Sequence, residues 1–508
     1  MTSAPKAPGA EAARVVLDTV RGLASELHPQ SPRIPSLAAD DSLERDFGLD
    51  SLARVELVAR LERASGVRLP ERAFAEAETP ADLAGWLQRA GASAGSTQAG
   101  RGEGEDRKAA ATGAPGWRPQ AAAEELPDEI GTLVDALQWH ARVHPDRVHL
   151  LLYGEHEVAR PFTYAQLHEM ALETAAGLVS GCGVGPGDRV AIMLPTGEAF
   201  FAAFYGALYA GAVPVPLYPP ARPSQIEDHL RRVAGIVANA GARVLVTVRE
   251  ARRLSALLRP LAPSLRTVTE VGWLRGQEDA PSEHRLAWQP LADLVPRAPR
   301  DAAFLQFTSG STGQPKGVVL THANLMANLR AMRAATQATS ADVFVSWLPL
   351  YHDMGLIGAC LGSMTFGFTL VLVSPFGFLS RPSRWLWLLD RHRATITAGP
   401  NFAYEFCVNK VRDEEIRGLD LSSLRLVFNG AEAVSPETVE RFCDRFAAHG
   451  LRREAMSPVY GLAECSVGLT FPPEGRGPLL DEVDREALLQ RGRAEPAGPG
   501  AQSPIRLF

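Results

Sequence analysis

Cysteine is scarce in this 508-residue chain, with five residues at wide spacing and no Cys-x-x-Cys pair: Cys182, Cys360, Cys407, Cys443 and Cys465. That pattern argues against a thiolate metal site and suits a reducing compartment. Each thiol is read as a small buried hydrophobe. Unbroken apolar runs are missing too. The most apolar stretch, Ala199 to Leu217, approaches a membrane span in length, but Gly206, Gly211, Pro214 and Pro216 interrupt it. It reads as a buried helix followed by a buried strand, so no membrane span is expected. The N-terminus lacks the basic–apolar–small order of a secretory signal, and a cytoplasmic location is expected. Positive charge is not in excess. A net charge of −6 argues against nucleic acid or an anionic membrane as the main partner. Clusters such as Arg249, Arg252 and Arg253 are then solvated faces.

What is present is ordinary globular composition, 46% hydrophobic and 22% charged, at a length that calls for more than one domain. Residues 10 to 28 place Ala13, Val16, Leu17, Val20 and Leu23 at helical spacing. A second amphipathic stretch carries Val55, Leu57, Val58 and Leu61, and a third spans about Pro80 to Ala90. Together they predict a small helical bundle over residues 1–90. From Gly91 to about Glu124 apolar periodicity disappears and Gly, Ala, Ser and charged residues dominate. That composition predicts a disordered linker over 91–125. From 126 onward, apolar strands alternate with helical patterns: Asp188 to Leu194, Phe200 to Ala210, Val213 to Leu217, Gln225 to Asn239, Ala242 to Thr247. The alternation predicts a large α/β domain with mostly parallel sheet.

Four constellations carry chemistry. Phe307 to Gly317 lies between two apolar strands and supplies Thr308, Ser309, Gly310, Ser311, Thr312, Gly313 and Lys316. Glycines admit close approach of backbone N–H groups to an anion, hydroxyls add donors, and the lysine adds a point charge. This is a polyphosphate cradle, although Pro315 before the lysine and Gly317 after it exclude a Walker A loop. A flexible surface loop, the plainer alternative, does not need an apolar strand on each side. Trp347 to Gly358 contains His352 just past a strand. An imidazole there suits closure over a carboxylate or nucleotide, or it is a core histidine bonded to backbone. Asn429, Gly430, Ala431 and Glu432 follow the strand Leu424 to Phe428, at a carboxyl strand end where α/β ligands bind. They serve either a ligand or the geometry of a turn. Tyr460 and Gly461 lead to Glu464: a ring able to stack on a base and a hard-oxygen ligand for Mg²⁺, or a packed tyrosine and a solvated glutamate. In the bundle, Ser51 opens a helix, where free N–H groups favour a phosphodiester on its hydroxyl; an N-cap serine is the alternative.

In combination these motifs resemble known proteins. Thr308-Ser-Gly-Ser-Thr-Gly-Gln-Pro-Lys-Gly resembles the phosphate loop of the adenylate-forming superfamily, and His352-Asp-Met-Gly-Leu is similar to the wording of its fatty acyl-AMP ligases. Asn429-Gly-Ala-Glu resembles that superfamily's adenine turn. The stretch from Phe471 resembles the insertion of the fatty acyl-AMP ligases, which restricts CoA use. Gly-Leu-Asp-Ser-Leu at 48–52 resembles the attachment site of acyl carrier proteins. The resemblance implies a carrier bundle at 1–90 and an adenylation domain at 126–508. It implies that a fatty acid is activated with ATP and Mg²⁺ and passed as acyl-AMP to a phosphopantetheine thiol. His352, Lys316 and Glu464 are then catalytic, and Thr308 and Glu464 hold Mg²⁺. Ser309 to Gly313, Asn429 to Glu432, Tyr460 and Gly461 hold the nucleotide, and Ser51 holds 4'-phosphopantetheine. The implied partners are a carrier protein in cis or in trans and a polyketide or peptide synthase. The superfamily continues past the equivalent of Phe508 into a small domain with a catalytic lysine. The resemblance therefore implies a chain that stops short and is impaired alone. An acyl-CoA ligase and a catalytically impaired carrier and nucleotide-binding fragment are the rival expectations.

Overall fold

The computed structural model describes residues 8–27, 77–95, 118–154, 159–219, 226–253, 255–277, 297–308, 316–498 and 505–508, with shorter stretches between 36 and 73. The chain divides into two compact units. One holds residues 1–112 with 221–224 and 376–381, and the other holds the rest.

In the first unit, the helix Pro8–Leu27 buries Val16, Val20 and Leu23, the i, i+4, i+7 stripe that its sequence presents. Leu57, Leu61, Leu83 and Leu87 join that core. The helix Pro80–Gly95 starts at a reciprocal cap: Asp82 N–H donates to Thr79 Oγ1 at 3.2 Å, and Thr79 N–H donates to Asp82 Oδ2 at 3.0 Å. Pro80 takes the first helical position, where its missing N–H costs nothing.

The second unit is built on two sheets. The seven-stranded sheet runs in the order Met456–Pro458, Leu426–Asn429, Ile396–Gly399, Val343–Ser346, Thr369–Val373, Val148–Tyr153, Ala159–Thr163. All neighbours are parallel except the last pair. A four-stranded parallel sheet runs Val213–Pro216, Arg189–Met193, Val244–Thr247, Thr267–Thr269. Val343–Ser346, Ile396–Gly399 and Val244–Thr247 are buried at every residue, as parallel strands covered on both faces must be. The helix Glu198–Tyr209, buried from Phe200 onward, opens the apolar run that had membrane-span length. Among the described residues, no helix is long and apolar enough to cross a membrane.

The expected linker differs at both ends. The helix of the first unit runs on through Gly95; the alanines after 90 are strong helix formers and no proline stops them. At the other end, Gln120 pairs with both backbone groups of Val148: Nε2 donates to the carbonyl at 2.7 Å and Oε1 accepts the N–H at 3.1 Å. Ala123 N–H donates to Ser340 Oγ at 2.7 Å, and Arg147 Nη1 donates to the Ala121 carbonyl at 2.9 Å. Residues 118–125 are therefore strapped to the second unit. Composition hides this because the bonds run from polar side chains to distant backbone. Residues 96–117 lie outside the described residues.

The region after Phe471, read as resembling an insertion, contains both a strand and a helix. The strand Asp481–Val483 pairs antiparallel with Ile505–Leu507. The helix Arg485–Arg491 follows, capped by Asp484, whose Oδ1 accepts the Ala487 N–H at 2.7 Å. Arg506 bonds Glu440 through both terminal nitrogens, and Arg425 donates to Glu474 Oε1 at 2.8 Å.

Candidate nucleotide and acyl site

The site lies at the carboxyl ends of the central parallel strands, where strand order leaves a crevice. The antiparallel strands Ala302–Thr308 and Lys316–Thr321 set Thr308 directly opposite Lys316. They bracket the cradle, whose residues Ser309 to Gly313 fall outside the described residues, as does Ser51. Thr308 is half-buried and Lys316 is exposed. Lysine occurs only at 6, 108, 316 and 410, the other 48 of 52 cations being arginine. A compact, mobile ammonium at this hairpin end is thus a departure from the chain's own habit.

Gln306, two residues before Thr308, donates Nε2 to the Tyr351 carbonyl at 2.7 Å. It ties the cradle hairpin to the loop that carries His352. His352 is exposed, so the core-histidine alternative does not hold. Asp353 caps the next helix, its Oδ1 accepting the Met354 N–H at 2.7 Å.

Asn429 ends its strand fully buried, and its Nδ2 donates to Asn401 Oδ1 at 3.3 Å. The same Asn401 oxygen accepts the Ser435 N–H at 3.0 Å. Glu432 Oε1 accepts the Phe402 N–H at 2.7 Å, at the first turn of the helix Asn401–Lys410. Both side chains therefore brace the turn. Between them Ala431 is exposed and left-handed, with φ +68°. A non-glycine residue in that region is held there at a cost, commonly at a ligand site. Asn401 is a contributor that the motifs missed; its place just past the strand end Gly399 was the available signal.

The strand Met456–Pro458 pairs beside Leu426–Asn429 and brings Val459 against Gly430, where a Cβ would meet Val459 Cγ2 at 2.9 Å. Tyr460 is 61% exposed, which rules out the packed-tyrosine alternative. Gly461 is fixed by its own hairpin, because a Cβ there would stand 1.6 Å from the Val467 carbonyl oxygen. The turn carrying Glu464, Ala463–Cys465, lies against the strand Lys316–Thr321, and Glu464 is exposed. Two further left-handed residues, Ser466 at φ +63° and Val467 at φ +86°, shape this turn. Among the described residues no three His, Cys, Asp or Glu side chains gather as a metal cage. A single carboxylate with a hydroxyl nearby suits Mg²⁺, which takes most of its remaining ligands from phosphates and water.

Below this polar rim opens an apolar pocket of about 110 Å³. Asp353, Ala431, Tyr460 and Gly461 stand in its wall, with Met332, Phe344, Ile396, Ala398, Phe428 and Phe471 among the lining. The wall includes a widened helix, Met354–Leu361, continuing into Gly362–Phe366. Gly355 lets that helix touch the preceding loop, for a Cβ would lie 2.3 Å from the Pro349 carbonyl oxygen. Wide helical turns of this kind recur at functional sites.

The AMP-binding enzyme family matches residues 137–488, and the chain belongs to that family. A phosphopantetheine attachment site matches residues 19–87. The chain is 33% identical over 396 residues to the medium-chain-fatty-acid–[acyl-carrier-protein] ligase TtuA of Teredinibacter turnerae, covering 71% of this chain and 60% of that protein. It is 34% identical over 370 residues to the long-chain-fatty-acid–AMP ligase FadD23 of Mycobacterium tuberculosis, covering 71% and 61%. A solved fatty acyl-adenylate ligase of Legionella pneumophila, in complex with acyl adenylate and pyrophosphate, superposes with a TM-score of 0.64 at 33% identity. That match covers 74% of this chain and 63% of the other. The chain thus spans about three fifths of the length of these curated relatives.

Proposed function

We propose that the protein activates a fatty acid as its acyl adenylate and delivers the acyl group to a phosphopantetheine thiol. The observation that carries this reading is the junction of rim and pocket: Asp353, Ala431 and Tyr460 border the apolar space. One molecule with a polar head and an apolar tail spans both. Relatives named as fatty-acid ligases support it.

The fatty acid carboxylate attacks the ATP α-phosphate, forming the acyl–phosphate bond and expelling pyrophosphate. The thiolate of a phosphopantetheine arm then attacks the acyl carbon and AMP leaves. Lys316 offsets phosphate charge, with Thr308 and Ser309 to Gly313 positioning the phosphates. Thr308 and Glu464 would hold Mg²⁺, which would supply further charge neutralisation. Tyr460 stacks on adenine beside the turn 429–432, braced by Asn429 and Glu432, and Gly461 keeps the backbone close. His352, next to the wall residue Asp353, is assigned to closure over carboxylate and nucleotide. Ser51 carries the phosphopantetheine, in a carrier region within 1–90 that serves the activating region from 126. A polyketide or peptide synthase is the assembly that consumes such an acyl carrier, and the cytoplasm is its setting.

The test is fatty-acid-dependent ATP–pyrophosphate exchange, followed by mass measurement of acyl transfer to a phosphopantetheinylated carrier and to free CoA. Lys316→Ala is expected to cut exchange by about 10²-fold, the typical loss of one stabilising group. Transfer to CoA but not to carrier would replace the reading by an acyl-CoA ligase. Exchange unaffected by fatty acid would remove it.

A further inference from the structure

Four residues that line the pocket fall at a constant spacing of four: Met354, Gly358, Gly362 and Phe366. In a regular helix, 3.6 residues per turn would make such a row drift about 40° at each step. The widened helix Met354–Leu361 takes up part of that drift, which keeps the row facing one space.

The two glycines in the row have no backbone reason to be glycine. Neither has positive φ. A Cβ at Gly358 would meet nothing within 4 Å, and one at Gly362 would meet only ordinary contacts, Ile357 O at 3.7 Å and Leu329 Cδ2 at 3.9 Å. Gly355 in the same helix is the contrast, since its hydrogen faces a carbonyl that no Cβ could tolerate. Glycine inside a helix costs stability relative to alanine. At 358 and 362 that cost leaves only empty space in the pocket. The row is closed at both ends by bulk. Met354 stands beside Asp353 at the rim, and Phe366 stands at the far end. The Arg333 guanidinium sits 5.2 Å from the Phe366 ring centroid, and Arg333 Nε donates to the Ala338 carbonyl at 3.1 Å.

We infer that the acyl chain lies along this row, with Gly358 and Gly362 as its clearance and Phe366 as its stop. Twelve residues of helix rise at most about 18 Å, which suits an extended medium- or long-chain acyl group rather than a short one. These three positions set acyl-chain length. The inference rests on the fatty-acid reading above, so its test separates the two.

The experiment measures binding of hexanoyl, decanoyl and palmitoyl sulfamoyl-adenosine, with adenosine 5'-sulfamate as the chain-free probe, to the full chain by calorimetry. Wild type is expected to bind the decanoyl or palmitoyl probe more tightly than the hexanoyl probe. Gly358→Leu and Gly362→Leu should weaken the longer probes by about tenfold or more and leave the hexanoyl probe within about twofold, as expected when a few methylenes lose their space. Phe366→Ala should move preference to longer chains. Gly358→Ala keeps the test open should leucine disturb folding: its thermal midpoint should hold or rise, and its long-chain affinity should fall by a smaller factor. An unchanged rank order of chain lengths in Gly358→Ala, Gly362→Leu and Phe366→Ala overturns the inference and leaves the fatty-acid reading standing. If wild type binds all four probes equally, the fatty-acid reading fails and the inference fails with it.

Discussion

The rim and the pocket of this site are built on opposite plans. Rim residues are exposed and sit on short turns or at strand ends: Lys316, His352, Glu464 and Tyr460 all face solvent. Pocket residues come from several helices and strands far apart in the chain, and half are buried or lack a side chain. A rim side chain can be exchanged without moving the backbone. The frame behind the pocket is locked to its neighbours, as at Gly355, where an added methyl group must displace backbone. On the proposed reading, chemistry is borne by replaceable groups and selectivity by the frame.

Substitutions on each side should break the comparison if it is wrong. The largest effect is expected at Gly355→Ala, where the new Cβ falls 2.3 Å from the Pro349 carbonyl oxygen. The helix must shift, and we expect loss of the cooperative unfolding transition or a cost above about 4 kcal/mol in urea titration. A wild-type midpoint would show that the widened helix has slack.

Next comes Arg425→Ala. Arg425 Nε and Nη2 donate to the two oxygens of Asp342 at 2.9 and 2.8 Å, and Nη1 reaches Glu474 and the Thr336 carbonyl, each at 2.8 Å. The Asp342 side chain is only 6% exposed. Its carboxyl lies below the usual range despite burial, because bonds from Arg425, Thr339 and Thr395 outweigh that desolvation. Removing the cation leaves a buried charge and should cost about 3–5 kcal/mol in the same titration.

A third effect depends on acid. His140 and His149 stack on either side of Tyr164, with ring centroids 4.5 and 5.0 Å away. Burial pushes His140 down to about 4 and His149 to about 3, and does the same to His322, at about 4, and His392, at about 3. Each must be neutral in the folded chain but charges below 6.5 when unfolded. Between pH 6.5 and 4 the unfolded state binds more protons. Stability should therefore be whole above 6.5 and fall by several kcal/mol as pH drops toward 4, levelling near the folded values. Thermal midpoints across that window test it, and a His149→Asn variant should flatten the slope. An unchanged slope would mean His149 is not held neutral.

The smallest stability effect belongs to the rim. Tyr460→Ala should alter unfolding by no more than about 0.5 kcal/mol, while adenosine-probe affinity falls by about 1–3 kcal/mol, the range for a base losing an aromatic face. Equal loss in both would make Tyr460 part of the frame.

Much was legible in the sequence, for local reasons. Strand–helix alternation exposed the parallel sheet, since both-face burial forces continuous apolar runs. Thr132, Thr163 and Ser435 were readable as caps because capping acts within three residues: each side chain accepts the N–H three positions on. The polar groups of the rim were legible because they fall in contiguous stretches at strand ends. Other features were not. Gln120 on Val148, Gln306 on Tyr351 and Glu432 on Phe402 are bonds whose partners lie 28, 45 and 30 residues apart. Nothing in the local pattern announces them. Nor can a string of residues tell Gly355, which the backbone requires, from Gly358, which it does not.

By itself, then, the sequence determined the two-unit plan, the order of the elements and the polar groups presented at the strand ends, because propensity, periodicity and turn chemistry act over a few residues. Only the tertiary structure decided that residues 118–125 belong to the second unit. It alone turned Asn429 and Glu432 into braces and gathered Met354, Gly358, Gly362 and Phe366 along one wall. Those outcomes depend on which distant atoms arrive within a few ångströms, and packing settles that for the whole chain at once.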